Sequence, residues 1–200
     1  LGSVLNAFRV LGLPARMLET PAEAEACTLL VLPGVGAFGD GIRCLRRAGW
    51  EPVLRTWIEN DRPFLGICLG LQLLFESSEE SPGERGLAVL RGRVRRFCLP
   101  ASFKVPHMGW NRVYAEPCAT ELFEGIPQGA HMYFVHSYYA CPEEESVVAA
   151  RTDYGGPVCC AVRRGTLFAV QFHPEKSQAH GLRLLRNIAA TADGRLAEAR

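Results

Sequence analysis

The chain has 200 residues, 48% of them hydrophobic, and a formal charge of +1. That suits one domain (1–200) with its own core and offers no general attraction to nucleic acid. No charged-then-apolar leader or bilayer-length apolar run is present, so no membrane role is expected, and eight cysteines without C-x-x-C or Cys/His metal spacing point to reduced thiols, no metal and a cytoplasmic protein.

Val4, Leu5, Phe8 and Leu11 recur at helical spacing, which predicts an opening amphipathic helix ended by Gly12 and Pro14. Thr20-Pro21-Ala22-Glu23 has the form of a capping box, and residues 28–32 form a continuous apolar strand. After a loop at 33–39, Asp40 is expected to cap a helix running to about 48. A second helix is expected over 51–60, and residues 63–67 read as a strand feeding Cys68. Alternating strands and helices argue for a parallel sheet covered on both faces. From Leu87 the texture changes to short strands at 87–97, 110–115, 131–140, 147–151, 158–163 and 166–172, with a small helical turn near 121–124 and a closing helix over 181–191. The expected fold is a three-layer α/β domain with an added antiparallel or mixed strand region, its ligands outside the carboxyl ends of the parallel strands.

Gly66-Ile67-Cys68-Leu69-Gly70 sits where the buried strand ends. Glycines on both sides permit a sharp strand-to-helix turn, with the following helix expected over 69–76. A cysteine at such a turn is presented to solvent near a positive helix end, which favours thiolate. The plainer reading is a glycine-lined turn holding a core cysteine. About a hundred residues on, an apolar strand runs into His173-Pro174-Glu175. Proline biases His173 toward an extended backbone, so the carboxylate two residues later can hold the imidazole. Cys68 as nucleophile, His173 as base and Glu175 as orienting acid make a complete triad. Arg91, Arg93 and Arg95 alternate on one expected strand face, either simply solvated or a patch for an acidic partner or phosphate.

G-I-C-L-G at 66–70, P-G-V-G at 33–36 and H-P-E-K-S at 173–177 together resemble the class I (triad) glutamine amidotransferases, whose fold is flavodoxin-like. P-H-M-G-W-N at 106–111 and Y-F-V-H-S-Y at 133–138 are most similar to the glutaminase subunits of imidazole glycerol phosphate synthases. The resemblance implies that Cys68 attacks the side-chain amide of glutamine and releases ammonia, with no cofactor. The backbone N–H of Leu69 is the natural first oxyanion donor, and the second is expected from Val35 or Gly36. Gln72 and Glu80 are implied as glutamine ligands, as are Ser137 and Tyr138, against the plainer readings of a polar helix position, a solvated charge and a strand. The implied partner is a (β/α)-barrel cyclase that receives the ammonia, met by His107, Trp110 and Asn111, with Lys176 beside the triad acid facing it. Trp110 reads alternatively as a core residue. The family begins with a strand and glycine-rich turn ahead of the first helix, whereas this sequence starts already in that helix, so an incomplete N-terminus is expected. Amidotransferase subunits serving anthranilate or aminodeoxychorismate synthesis, and a catalytically inactive binding subunit on the same fold, are the competing readings.

Overall fold

The computed structural model describes residues 1–192 and 194. Helix α1 (Gly2–Val10) buries Val4, Ala7 and Phe8, one stripe at helical spacing. The capping box forms at Thr20 and Glu23, but what it starts is a 3-10 turn, Pro21–Ala26. Strand β1 (Leu30–Gly34) lies two residues later than expected and carries the first glycine of P-G-V-G. Helices α2 (Phe38–Arg47) and α3 (Trp50–Glu59) follow, joined through Gly49 in the left-handed conformation, and β2 (Phe64–Cys68) is buried at every position.

The cap of α2 does not come from Asp40. Asp40 lies inside the first turn, paired with Arg43 at 2.6 Å, and the orphan N–H groups of Phe38 and Gly39 instead reach Glu80 Oε2 at 2.7 Å and Ser81 Oγ at 2.9 Å. The helix after Cys68 is also shorter than expected: α4 spans only Leu69–Gln72. Past Gln72 the carbonyls of Leu73, Leu74 and Phe75 accept from the N–H groups of Leu87, Val89, Leu90 and Ala88, so a neighbouring segment takes the bonds a longer helix would need. That same commitment keeps 87–90 out of the strand expected to begin there.

The remaining strands are β3 (Ser77–Ser78), β4 (Gly92–Arg96), β5 (His107–Ala115), β6 (Ala130–His136), β7 (Tyr138–Pro142), β8 (Val148–Asp153), β9 (Pro157–Arg164) and β10 (Leu167–Val170). The strand expected over 131–140 is therefore two, broken at Ser137. Helix α5 (Gln178–Ala192) closes the described chain. The principal sheet runs β1-β2-β10-β9-β7-β4-β3, with β8 branching from β9, β5 paired to β8 and β6 paired to β5. Among the described residues, parallel pairing joins β1, β2 and β10 and recurs only where two-residue β3 meets β4; every other pair is antiparallel.

Strand alternation sorts the interior into two cores. Phe64, Leu167 and Ala169 pack with Phe38, Ile42, Leu54, Trp57 and Ile58 of α2 and α3. Leu65, Ile67, Phe168 and Val170 pack with Val4, Ala7 and Phe8 of α1 and Leu184, Leu185 and Ile188 of α5. Helices thus cover both faces of the sheet, and the three layers hold β2 and β10 side by side at their centre. No helix among the described residues is long and apolar enough to cross a membrane.

Candidate active site

Cys68 is the last residue of β2 and has φ 55° and ψ −105°, a conformation L residues rarely adopt. Alternation along β2 would put its side chain on the Phe64 face; the positive φ turns it instead into the core that holds Leu65 and Ile67. The flanking glycines are required by contact rather than by φ. A Cβ on Gly70 would stand 1.8 Å from the Leu32 carbonyl oxygen, and one on Gly66 would stand 2.9 Å from Ala169 Cβ. Cys68 is 7% exposed, so it is set into the site rather than lifted out to solvent as expected. With α4 only one turn long, the helix-end contribution expected there has little to act through.

His173 has an extended backbone, φ −103° and ψ 95°, before the 3-10 turn Pro174–Lys176. Its N–H donates to the Tyr133 carbonyl at 2.8 Å, and its carbonyl accepts from Ser177 Oγ at 2.6 Å. Nδ1 lies 2.8 Å from Glu175 Oε1, with both side chains nearly sealed at 3% and 5% exposure. Burial opposes charge on this ring, but its interactions with Cys68 and Glu175 outweigh it and raise the imidazole to about 9. His173 Nε2 and Glu175 Oε2 are buried with no completed hydrogen bond.

In the β1–β2 register Gly34 stands opposite Cys68, so Val35 and Gly36 follow directly beside it. Val35 is 80% exposed and Gly36 has φ 100°. Neither N–H donates to any described residue, and the Leu69 N–H, first in α4, has no acceptor within the helix. Val35 and Gly36 thus offer two uncommitted candidate donors, while the Gly34–Cys68 pairing that ends the β1–β2 ladder sets the Leu69 N–H against the Gly34 carbonyl. Glu80 clamps the far end of this loop through the Phe38 N–H, a job the sequence does not suggest. Gln72 is buried and gives both its N–H groups to protein, one to the Tyr138 carbonyl at 3.0 Å and one to Gln171 Oε1 at 3.1 Å. Ser137 and Tyr138 are half-buried beside it, the Ser137 carbonyl accepting from Phe97 N–H.

Trp110 is 46% exposed and meets Tyr133 edge-on at 6.0 Å, and Lys176 Nζ stands 5.7 Å over the same Tyr133 ring. Tyr133 in turn lies 6.5 Å from the His173 ring. Asn111 is half-buried, but His107, expected on the partner-facing surface, is not: it is 3% exposed, stacked between Phe134 and Tyr154. Its place on β5 turns it inward while Met108 and Trp110 face out.

The family profile for class-I glutamine amidotransferases matches residues 3–192. The imidazole glycerol phosphate synthase subunit HisH of Rhodopirellula baltica is 51% identical over 189 residues, covering 94% of this chain and 91% of that protein. The chain belongs to the class I glutamine amidotransferases, among the HisH-type subunits. The HisH subunit of Desulfitobacterium hafniense strain DCB-2 is 50% identical, covering 94% of this chain and 88% of its own. A crystal structure of a glutamine amidotransferase, at 24% identity, shares the fold with a TM-score of 0.74 over 96% of this chain and 93% of that one.

Three residues of this amidotransferase site escaped the sequence reading. Gln171 is fully buried and donates to Cys68 Sγ at 3.6 Å; its signal was an amide inside the apolar run F-A-V-Q-F. Ser177, 1% exposed, accepts from the Tyr133 N–H at 3.0 Å while donating to the His173 carbonyl, so one hydroxyl ties β6 to His173. Tyr133 links Trp110 to His173, and only the packing of two strands reveals that.

Proposed function

We propose that Cys68, His173 and Glu175 are the nucleophile, general base and orienting acid of glutamine hydrolysis. The chain is a glutamine-hydrolysing amidotransferase subunit of the imidazole glycerol phosphate synthase type. His173 Nε2 takes the thiol proton first, forming the imidazolium that its raised value favours, and the thiolate Sγ then attacks the side-chain amide carbon of glutamine. The oxyanion is received by the Leu69 N–H and by a peptide N–H from Val35 or Gly36. His173 then returns the proton to the departing nitrogen, releasing ammonia and leaving a thioester. Water, deprotonated by the same nitrogen, cleaves it to glutamate and restores the thiol. Glu175 holds the ring through Nδ1 and balances its charge.

The observation that carries this reading is the convergence of adjacent strands β2 and β10 on one point, with the P-G-V-G loop beside it. Glutamine is received beside Gln72, Ser137 and Tyr138. A (β/α)-barrel cyclase is the partner, docking on Trp110, Asn111 and Lys176 and taking ammonia onto its nucleotide substrate to form imidazole glycerol phosphate. Support comes from exposed Trp110 and Met108, one tyrosine ring away from the base. Glutamine turnover measured with and without the cyclase and its nucleotide tests the assignment. A rise of roughly a hundredfold, expressed in kcat, is expected if the second oxyanion donor must be turned into place. Equal rates for the chain alone and the complex would make it a free-standing glutaminase.

A further inference from the structure

An unbroken hydrogen-bond chain crosses the interior from β5 to the nucleophile. It begins at Asn111, whose amide is locked by the backbone: Oδ1 accepts from the Arg112 N–H at 2.8 Å and Nδ2 donates to the Asp153 carbonyl at 2.8 Å. Nδ2 is therefore also the donor in its 3.2 Å contact with His107 Nε2, which puts the His107 proton on Nδ1. That proton faces Nε2 of the cross-strand neighbour His136 at 3.0 Å. His136 must then carry its own proton on Nδ1, and it donates to the Tyr138 carbonyl at 2.8 Å.

The same carbonyl fixes Gln72 from the other side. A carbonyl only accepts, so Gln72 turns Nε2 toward it, spends the second N–H on Gln171, and Gln171 donates to Cys68. Gln72 Oε1 is left with no partner among the described residues and is not sealed from solvent. An acceptor is thus what Gln72 shows to a ligand, one helical turn from the nucleophile. The chain requires each ring to keep one acceptor nitrogen, hence to be neutral. Burial supplies this, lowering His107 to about 4; in His136 it outweighs the opposing Tyr138 hydrogen bond to leave about 3.

We propose that His107 and His136 are positioning residues for this site: through the Tyr138 carbonyl they hold Gln72 with its oxygen outward, so that an N–H of glutamine is selected beside Cys68. This rests on the glutaminase reading and adds to it the origin of one substrate contact. Asn111→Asp tests it from the partly exposed end of the chain. A carboxylate accepts from His107 Nε2–H, His107 Nδ1 becomes an acceptor, His136 shifts its proton to Nε2, and its Nδ1 lone pair faces the Tyr138 carbonyl.

In the full chain, ring 15N shifts are expected to show Nδ1–H on both histidines, and Nε2–H on both in the Asn111→Asp variant. Labelling of Cys68 by an electrophilic glutamine analogue should slow about tenfold through weaker binding in that variant, while iodoacetamide, which makes no use of Gln72, alkylates at the parent rate. His136→Leu should match it, and His136→Asn, which keeps a donor for the carbonyl, should recover most of the labelling. An Nε2–H tautomer in the parent, or a reversed tautomer with unchanged analogue labelling, overturns the proposal, and Asn111→Asp keeps this decidable if His136→Leu fails to fold. A parent chain whose Cys68 the analogue never labels sinks the glutaminase reading and the proposal with it, a result distinct from labelling that ignores the tautomer.

Discussion

His173 owes its raised imidazole to two neighbours, and each can be removed. Its ring is expected to titrate near 9 by NMR, with the midpoint falling in Glu175→Gln and in Cys68→Ala; a midpoint unmoved by both would break the triad assignment. Because the folded value lies above the ordinary 6.5, the ring's contribution to stability is present below about 6.5 and is lost as pH rises through about 9. Among the cysteines, burial pushes Cys159 up to about 12 and Cys160 well above its ordinary value, so neither offers a nucleophile at neutral pH. An electrophilic glutamine analogue is therefore expected to modify Cys68 first, and peptide mapping that found Cys159 or Cys160 modified first would reverse the assignment. Cys68→Ala should abolish glutamine hydrolysis while leaving the circular dichroism spectrum intact.

The elbow exists only because β1 passes so close behind it. Gly70→Ala would drive a methyl into the Leu32 carbonyl, and the clash should cost roughly 3 kcal/mol or more of stability, read from denaturant midpoints. Glu80→Ala releases the α2 end of the Val35–Gly36 loop without touching the triad. Analogue labelling should slow several-fold in Glu80→Ala and recover in Glu80→Gln, whose amide oxygen can still accept from Phe38; equal rates in all three would show that the clamp is idle. Local pattern singled out Cys68, His173 and Glu175, because a glycine-bounded turn and a proline-fixed strand end are properties of neighbouring residues. It could not reveal that Glu80 caps a helix starting 42 positions earlier, or that 87–90 cut α4 short, since those partners meet only in the folded chain. His107 was misplaced for a similar reason: alternation marks two faces of β5, and only the packing of Tyr154 and Phe134 says which is inside.

At the scale of the whole molecule the buried histidine pair sets an acid limit. The unfolded chain takes up protons near 6.5 that folded His107 and His136 refuse until about 4 and about 3. Their stabilising effect is therefore complete above about 6.5 and falls as pH drops, by about 1.4 kcal/mol per pH unit for each ring. Urea midpoints should fall between about pH 7 and pH 5, and fall less when both rings are replaced by asparagine; an equal fall would mean the rings do not set the limit. Trp110→Ala should weaken cyclase binding and its stimulation of turnover together, measured by calorimetry and by ammonia release, with no loss of analogue labelling in the chain alone. The adjacency of β2 and β10 carries one more consequence. The strand bearing Cys68 is made long before the strand leading to His173, and they are zipped together at Phe64–Leu167 through Ile67–Val170. On the proposed reading, a chain ending before His173 holds Cys68 with no base beside it and is expected to release no ammonia from glutamine, which an assay of such a truncated chain would check.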